Sequence, residues 1–228
     1  MKKNIVIRHL GLRDYNDIYE AMKNFTENRS TLTSDEIWFV EHFPVFTLGR
    51  RGAVEHVLDA GNIPVIQVDR GGQVTYHGPG QLVAYLLLDL QRHNIGIRFL
   101  VNSLQDSIMA LLANYSIDSS TRPDAPGVYV SNRKIASIGL RVRRGCCYHG
   151  MSLNIAMDLA PFKQINPCGY AGLEVTQISD LRGPDNIDSV AAKLNDYLHY
   201  YLGYDNITLA DPAINEDLLL HKVPRLSA

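Results

Sequence analysis

The sequence predicts an α+β domain, a mixed and mainly antiparallel sheet covered by helices. Three observations carry that prediction. Strand-like and helix-like stretches are interspersed without the regular strand–helix alternation of a doubly wound fold. Two β-rich runs, residues 128–130 and 134–142, meet across the polar turn Ser131-Asn132-Arg133, which is a hairpin pattern. Residues 82–90 are apolar at nearly every position, as in a central strand buried on both faces.

The elements follow in order. Residues 5–9 read as a short strand. Residues 12–28 carry Tyr15, Ile18, Tyr19 and Met22 at helical spacing, with Asp14 and Asp17 early, where negative charge suits the helix dipole. Residues 37–39 and 45–48 read as strands on either side of Pro44, and 63–68 as a third. Residues 98–114 are the clearest helix, with Leu100, Leu104, Ile108, Leu111 and Leu112 on one stripe. A strand is expected over 148–156 and a helix over 188–202, with Asp188 as its N-cap and Gly203 just past its end. No repeat, low-complexity tract or linker interrupts the chain, so a single domain is expected over residues 1–228.

Composition excludes several classes. Of the 228 residues, 46% are hydrophobic and 20% charged, the balance of a globular chain with a sizeable core. Its 22 basic against 24 acidic residues argue against a nucleic-acid partner. There is no bilayer-length apolar run, and charge interrupts the opening Met-Lys-Lys-Asn-Ile-Val-Ile-Arg too early for a signal peptide, so no membrane role is expected. The three cysteines Cys146, Cys147 and Cys168 form neither a disulfide framework nor a metal-ligand spacing. A reducing cytoplasm fits them, with Cys146 and Cys147 read as packing residues.

Three features could carry chemistry. Strict alternation along residues 134–142 groups Lys134 with the apolar Ala136, Ile138, Leu140 and Val142. Partial desolvation would lower the amine's pKa and make it a proton acceptor or the partner of a thiolate. The pattern alone favours the plainer outcome, a stem lying on apolar surface with its amine in water. Cys168 sits in Asn166-Pro167-Cys168-Gly169, an irregular turn that presents a thiol rather than burying it. The stretch Arg70-Gly71-Gly72-Gln73-Val74-Thr75-Tyr76-His77-Gly78-Pro79-Gly80-Gln81 matches neither a P-loop nor a dinucleotide fingerprint. Its glycines would let a ligand approach the backbone, so a substrate-binding segment is preferred to an ordinary hairpin connection.

Weaker signals surround these. Gly150-Met151-Ser152-Leu153-Asn154 begins like a nucleophile elbow, but Asn154 replaces the last glycine and the context is a strand. His149 is expected on the core face with Met151, Leu153 and Ile155. Arg50-Arg51-Gly52 and the strip Arg141, Arg143, Arg144 read first as solvated surface, with anion or acidic-partner binding as the alternative.

Together the glycine-rich stretch, Arg133-Lys134-Ile135-Ala136-Ser137-Ile138-Gly139, His149-Gly150-Met151-Ser152-Leu153-Asn154 and Asn166-Pro167-Cys168-Gly169 resemble the lipoyl(octanoyl) transferase family, over residues 33–202. The resemblance implies a catalytic domain shared with biotin and lipoate protein ligases. It implies ping-pong acyl transfer, with Cys168 taking the acyl chain as a thioester and Lys134 acting as general base and acid. Arg70, Gly71, Gly72, Gln73, Val74, Thr75, Tyr76, His77, Ser137, Ile138, Gly139, Gly150, Met151 and Ser152 would line the substrate site. The implied donor is octanoyl-acyl carrier protein. The implied acceptors are lipoyl domains of 2-oxoacid dehydrogenase E2 subunits and the glycine cleavage H protein. No cofactor or metal is called for. Backbone N–H groups near Gly139 or Gly169 would steady the oxyanion. The rivals are an ATP-dependent ligase of the same fold, which needs no cysteine nucleophile, and a non-catalytic adaptor for lipoyl domains or carrier proteins.

Overall fold

Long strands with apolar faces assemble first-to-last into two sheets in the computed structural model, which describes residues 3–210. Residues 1–2 and 211–228, included in the expected single domain, lie outside the described part. In order the elements are β1 (Asn4–Arg13), α1 (Tyr15–Glu27), β2 (Asp35–His42), β3 (Val45–Leu48), β4 (Val65–Gln67), β5 (Val74–His77), β6 (Gln81–Asp89), α2 (Ile97–Asn114), β7 (Ser120–Thr121), β8 (Gly127–Val130), β9 (Arg133–Arg143), β10 (Cys146–Asn154), α3 (Ile187–Leu202) and β11 (Asn206–Leu209).

The large sheet runs β11-β1-β2-β6-β10-β9-β8-β7. β1 is parallel to both its neighbours, and every other pairing in the sheet is antiparallel. β6 is interior, and residues 82–88 are buried on both faces, as its apolar run requires. One face packs on α2 and α3, where Leu100, Leu104 and Ile108 meet Leu194 and Leu198 over Leu82, Ala84 and Leu86. The other face receives α1 through Ile18 and Met22 against Trp38, Val83 and Tyr85. A small sheet, β4-β3-β5, forms a separate layer with its own cluster of Phe46, Tyr76 and Phe162. The sequence reading foresaw the strands 45–48 and 63–68 but not that they leave the main sheet.

Local signals explain the element ends. Asp14 caps α1 by accepting from the Asn16 N–H at 2.8 Å. α3 is capped by Asn186, whose side chain accepts from the Ser189 N–H at 2.8 Å, and not by Asp188, which falls inside the first turn. Gly203 ends α3 with φ +69°. Ser131 and Asn132 both have positive φ, the primed turn that suits the twist of the β8–β9 hairpin. Among the described residues, no helix is long and apolar enough to cross a membrane.

Candidate active site

The space between the large sheet and the small one brings most of the sequence-predicted site residues together. Cys168 lies in a single turn of 3₁₀ helix over Pro167–Gly169, with φ +58° and ψ +15°. A non-glycine residue held in the left-handed region is strained, by roughly 1–3 kcal/mol. Lys134 stands at the start of β9, and its Nζ donates to Cys168 Sγ at 2.9 Å and to the Pro126 carbonyl at 3.3 Å. The lysine is only 3% exposed, so the expectation of an amine in water fails. Burial pushes the Lys134 pKa down, but the charge and hydrogen bond of Cys168, with smaller help from Tyr129, outweigh it and leave it above its ordinary value. The desolvated alternative implied a lowered pKa; the neighbouring Cys168 reverses the sign.

A β-bulge sets this geometry. The register between β8 and β9 slips by one residue, with Val128 opposite Ala136 but Tyr129 opposite Lys134. Ile135 and Ala136 consequently both enter the core, and Lys134 does not share the apolar face that strict alternation assigned it. Gly127 leaves room for the lysine: a Cβ there would lie 2.5 Å from the Ala136 carbonyl oxygen and 3.1 Å from Lys134 Cε.

Cys168 borders a narrow cavity of about 50 Å³. Its walls are Arg70, Gly71, Gly72, Gln73, Val74, Thr75 and His77 from the glycine-rich stretch, Ser137, Ile138 and Gly139 from β9, and Gly150, Met151 and Ser152 from β10. Tyr15, Val83, Tyr85 and His149 complete it. Tyr76, by contrast, turns into the cluster of the small sheet, 5.5 Å from the rings of both Phe46 and Phe162. Period-two alternation along β5 places it opposite Thr75 and His77.

Arg70 is buried with its guanidinium spent on neutral acceptors: the Thr47 carbonyl at 2.7 Å, Thr47 Oγ1 at 2.8 Å and the Gly71 carbonyl at 2.9 Å. No carboxylate pairs with it among the described residues. Burial lowers its pKa, while Tyr15 and Cys168 act in the opposite sense. The site therefore contains a cation within electrostatic reach of the thiol. Gly169 offers no free donor, because its N–H already bonds the Asn166 carbonyl at 2.9 Å.

Sequence reasoning missed a second polar cluster. Asp69 accepts from Tyr19 at 3.1 Å, from Tyr148, and from His149 Nε2 at 2.9 Å. Burial raises the Asp69 pKa, but these hydrogen bonds win and hold the carboxyl well below its usual range. His149 has φ +59°, which breaks the alternation of β10 and swings the ring away from the Met151–Leu153 face expected for it. Burial lowers its pKa, and an anionic Asp69 fixes the proton on Nε2. Arg141 adds a contact to Asp69 at 3.7 Å and Arg143 pairs with Glu27, so two members of the basic strip have partners within the chain. The backbone of Arg50 and Arg51 donates to the Arg70 and Gly72 carbonyls, bracing the glycine-rich stretch.

Comparisons with known proteins give the family. The family model of the lipoyl protein ligase A/B catalytic domain matches residues 14–199. An octanoyltransferase of Vibrio cholerae serotype O1 is 52% identical, over 95% of this chain and all of that one. The structure of a putative lipoate protein ligase from T. acidophilum with bound lipoic acid superposes with a TM-score of 0.71 at 14% identity, over 96% of this chain and 93% of that one. The biotin protein ligase of Aquifex aeolicus in complex with biotin and ATP gives 0.55 at 14% identity, over 88% and 71%. These two structures bear out the expected fold. The chain belongs to the lipoyl protein ligase A/B catalytic domain family and, within it, groups with the octanoyltransferases.

Proposed function

We propose that this octanoyltransferase carries its acyl group on Cys168, taking it from acyl carrier protein and passing it to a lysine of lipoyl domains, in 2-oxoacid dehydrogenase E2 subunits and the glycine cleavage H protein. The observation that carries this reading is the 2.9 Å contact between a buried lysine amine and a thiol at the edge of a cavity. The protonated Lys134 holds the Cys168 thiolate, which attacks the donor's thioester carbonyl. As the tetrahedral adduct collapses, the carrier thiolate leaves with the proton of Lys134. The neutral Lys134 then takes a proton from the acceptor amine as that amine attacks the Cys168 thioester. An amide forms, and the ammonium–thiolate pair is restored. Arg70 supplies positive charge for the oxyanion of both steps.

Exchanging one thioester for another costs little, and the final amide lies downhill, so the cycle needs no nucleotide. A cytoplasmic setting supplies both protein substrates. The test supplies the purified chain with octanoyl-acyl carrier protein, or with octanoic acid plus ATP, and follows modification of a lipoyl domain. Transfer from the carrier alone, lost in Cys168→Ser, is expected. Transfer from free acid plus ATP that survives Cys168→Ser would replace this reading by that of a ligase.

A further inference from the structure

Asn154, the residue that spoils the elbow-like motif, lies in a buried hydrogen-bond chain that ends on Lys134. We propose that Asn154 and Gln81 are positioning residues that hold the Lys134 backbone in register with Cys168; this rests on the Lys134–Cys168 reading above.

The chain has a single consistent direction. Arg70 donates to Thr47 Oγ1 at 2.8 Å, and Thr47 Oγ1 lies 3.5 Å from His77 Nε2. His77 Nδ1 donates to Gln81 Oε1 at 2.7 Å, and Gln81 Nε2 donates to Asn154 Oδ1 at 2.9 Å. Asn154 Nδ2 donates to the Thr176 carbonyl at 2.9 Å. The Thr176 N–H then donates to the Lys134 carbonyl at 3.0 Å, while the Lys134 N–H donates to the Glu174 carbonyl at 2.9 Å. Residues 174–176 thus lie against Lys134 as a strap, joined to it by a parallel bridge at Val175. Two bonds hold the strap to β10: the Asn154 amide at Thr176, and the Ile178 N–H on the Asn154 carbonyl at 3.1 Å.

Gln81, Asn154 and Thr176 are 1%, 4% and 0% exposed, so no water replaces a lost partner. Lys134 keeps its pairing with Tyr129 on the β8 side, whereas the β10 ladder ends at Ala136, and the strap takes the place of β10 against Lys134. Asn154 is therefore the only side chain among the described residues that ties β6, β10 and the strap together at this point.

The experiment measures the pH–rate profile of Cys168 alkylation by iodoacetamide, which needs neither donor nor acceptor. Asn154→Ala and the near-isosteric Asn154→Asp should each alkylate roughly threefold or more slowly at neutral pH, with the profile displaced upward and the high-pH rate unchanged. Gln81→Met should do the same to a smaller extent. Ile108→Val is a core control that lowers the melting temperature without touching the strap, and it should keep the parent profile. Parent-like profiles in both Asn154 variants, with Lys134→Ala displaced, would overturn the positioning role and leave the pair intact. A displaced Ile108→Val profile would reduce the effect to general destabilisation and overturn it too. An undisplaced Lys134→Ala would remove the pair and this inference with it.

Discussion

At Lys134 the decisive quantity is a 2.9 Å separation in a buried setting, because charge and proton capacity then become separable tasks. An arginine keeps the cation but does not give up its proton. Lys134→Arg is therefore expected to keep Cys168 reactive toward alkylation while slowing both proton transfers, to the departing carrier thiolate and from the acceptor amine, by about 10²–10⁴-fold, the usual contribution of a positioned acid or base. Single-turnover measurements of the two half-reactions check this, and an unimpaired second half-reaction would show that Lys134 acts by charge alone. Cys168 itself was legible from its Pro and Gly neighbours. The Asp69–His149 pair was not, because the two lie 80 positions apart and Asp69's other partners, Tyr19 and Tyr148, lie 50 and 79 positions from it, with no spacing in the sequence to join them.

Secondary-structure elements obey sequence periodicity until the site, where two of them depart from it. β9 carries a one-residue bulge and β10 a histidine with positive φ, and each departure rotates a side chain bordering the cavity region off the face that alternation assigned. Hydrophobic pattern reports which face is buried, but it cannot register an extra residue where two successive residues are both apolar, as Ile135 and Ala136 are. The elements themselves were readable: α2, the β8–β9 hairpin and the interior strand β6 sit within a few residues of their expected bounds. β6 and β10 approach so closely at Gly150 that an added Cβ would lie 1.9 Å from the Ala84 carbonyl oxygen. Gly150→Ala must push two sheet strands apart, and a loss of about 1–3 kcal/mol is expected. That corresponds to a fall of roughly 2–12 °C in melting temperature for a chain of this size, and an unchanged melting temperature would contradict the packing described.

Across the whole molecule, the interface between the large sheet, α1 and the small sheet holds two buried histidines, His42 and His77, with ring centroids 6.0 Å apart. Burial holds the His42 pKa down to about 4, with His42 Nε2 2.7 Å from the Tyr85 hydroxyl. Burial, with the charges of His42 and Arg70, takes His77 to about 3. Both stay neutral in the folded chain at pH values where an unfolded histidine is charged. The unfolded state therefore binds the extra protons, and stability is full above about pH 6.5 and falls as pH drops toward these folded values, by up to about 1.4 kcal/mol per unit for each ring. Melting temperature measured from pH 7.5 to 4.5 should decline through that window, less steeply in His77→Asn; a flat profile would contradict neutral burial. The same interface brings the thiol, its lysine and the cavity together, and the account stands or falls on what that thiol carries. Intact-mass spectrometry of the chain after mixing with octanoyl-acyl carrier protein, with no acceptor present, is the most direct measurement. The account predicts a gain of one octanoyl group that hydroxylamine removes and that Cys168→Ala never shows. An unmodified parent chain, or an octanoyl adduct retained in Cys168→Ala, would contradict it.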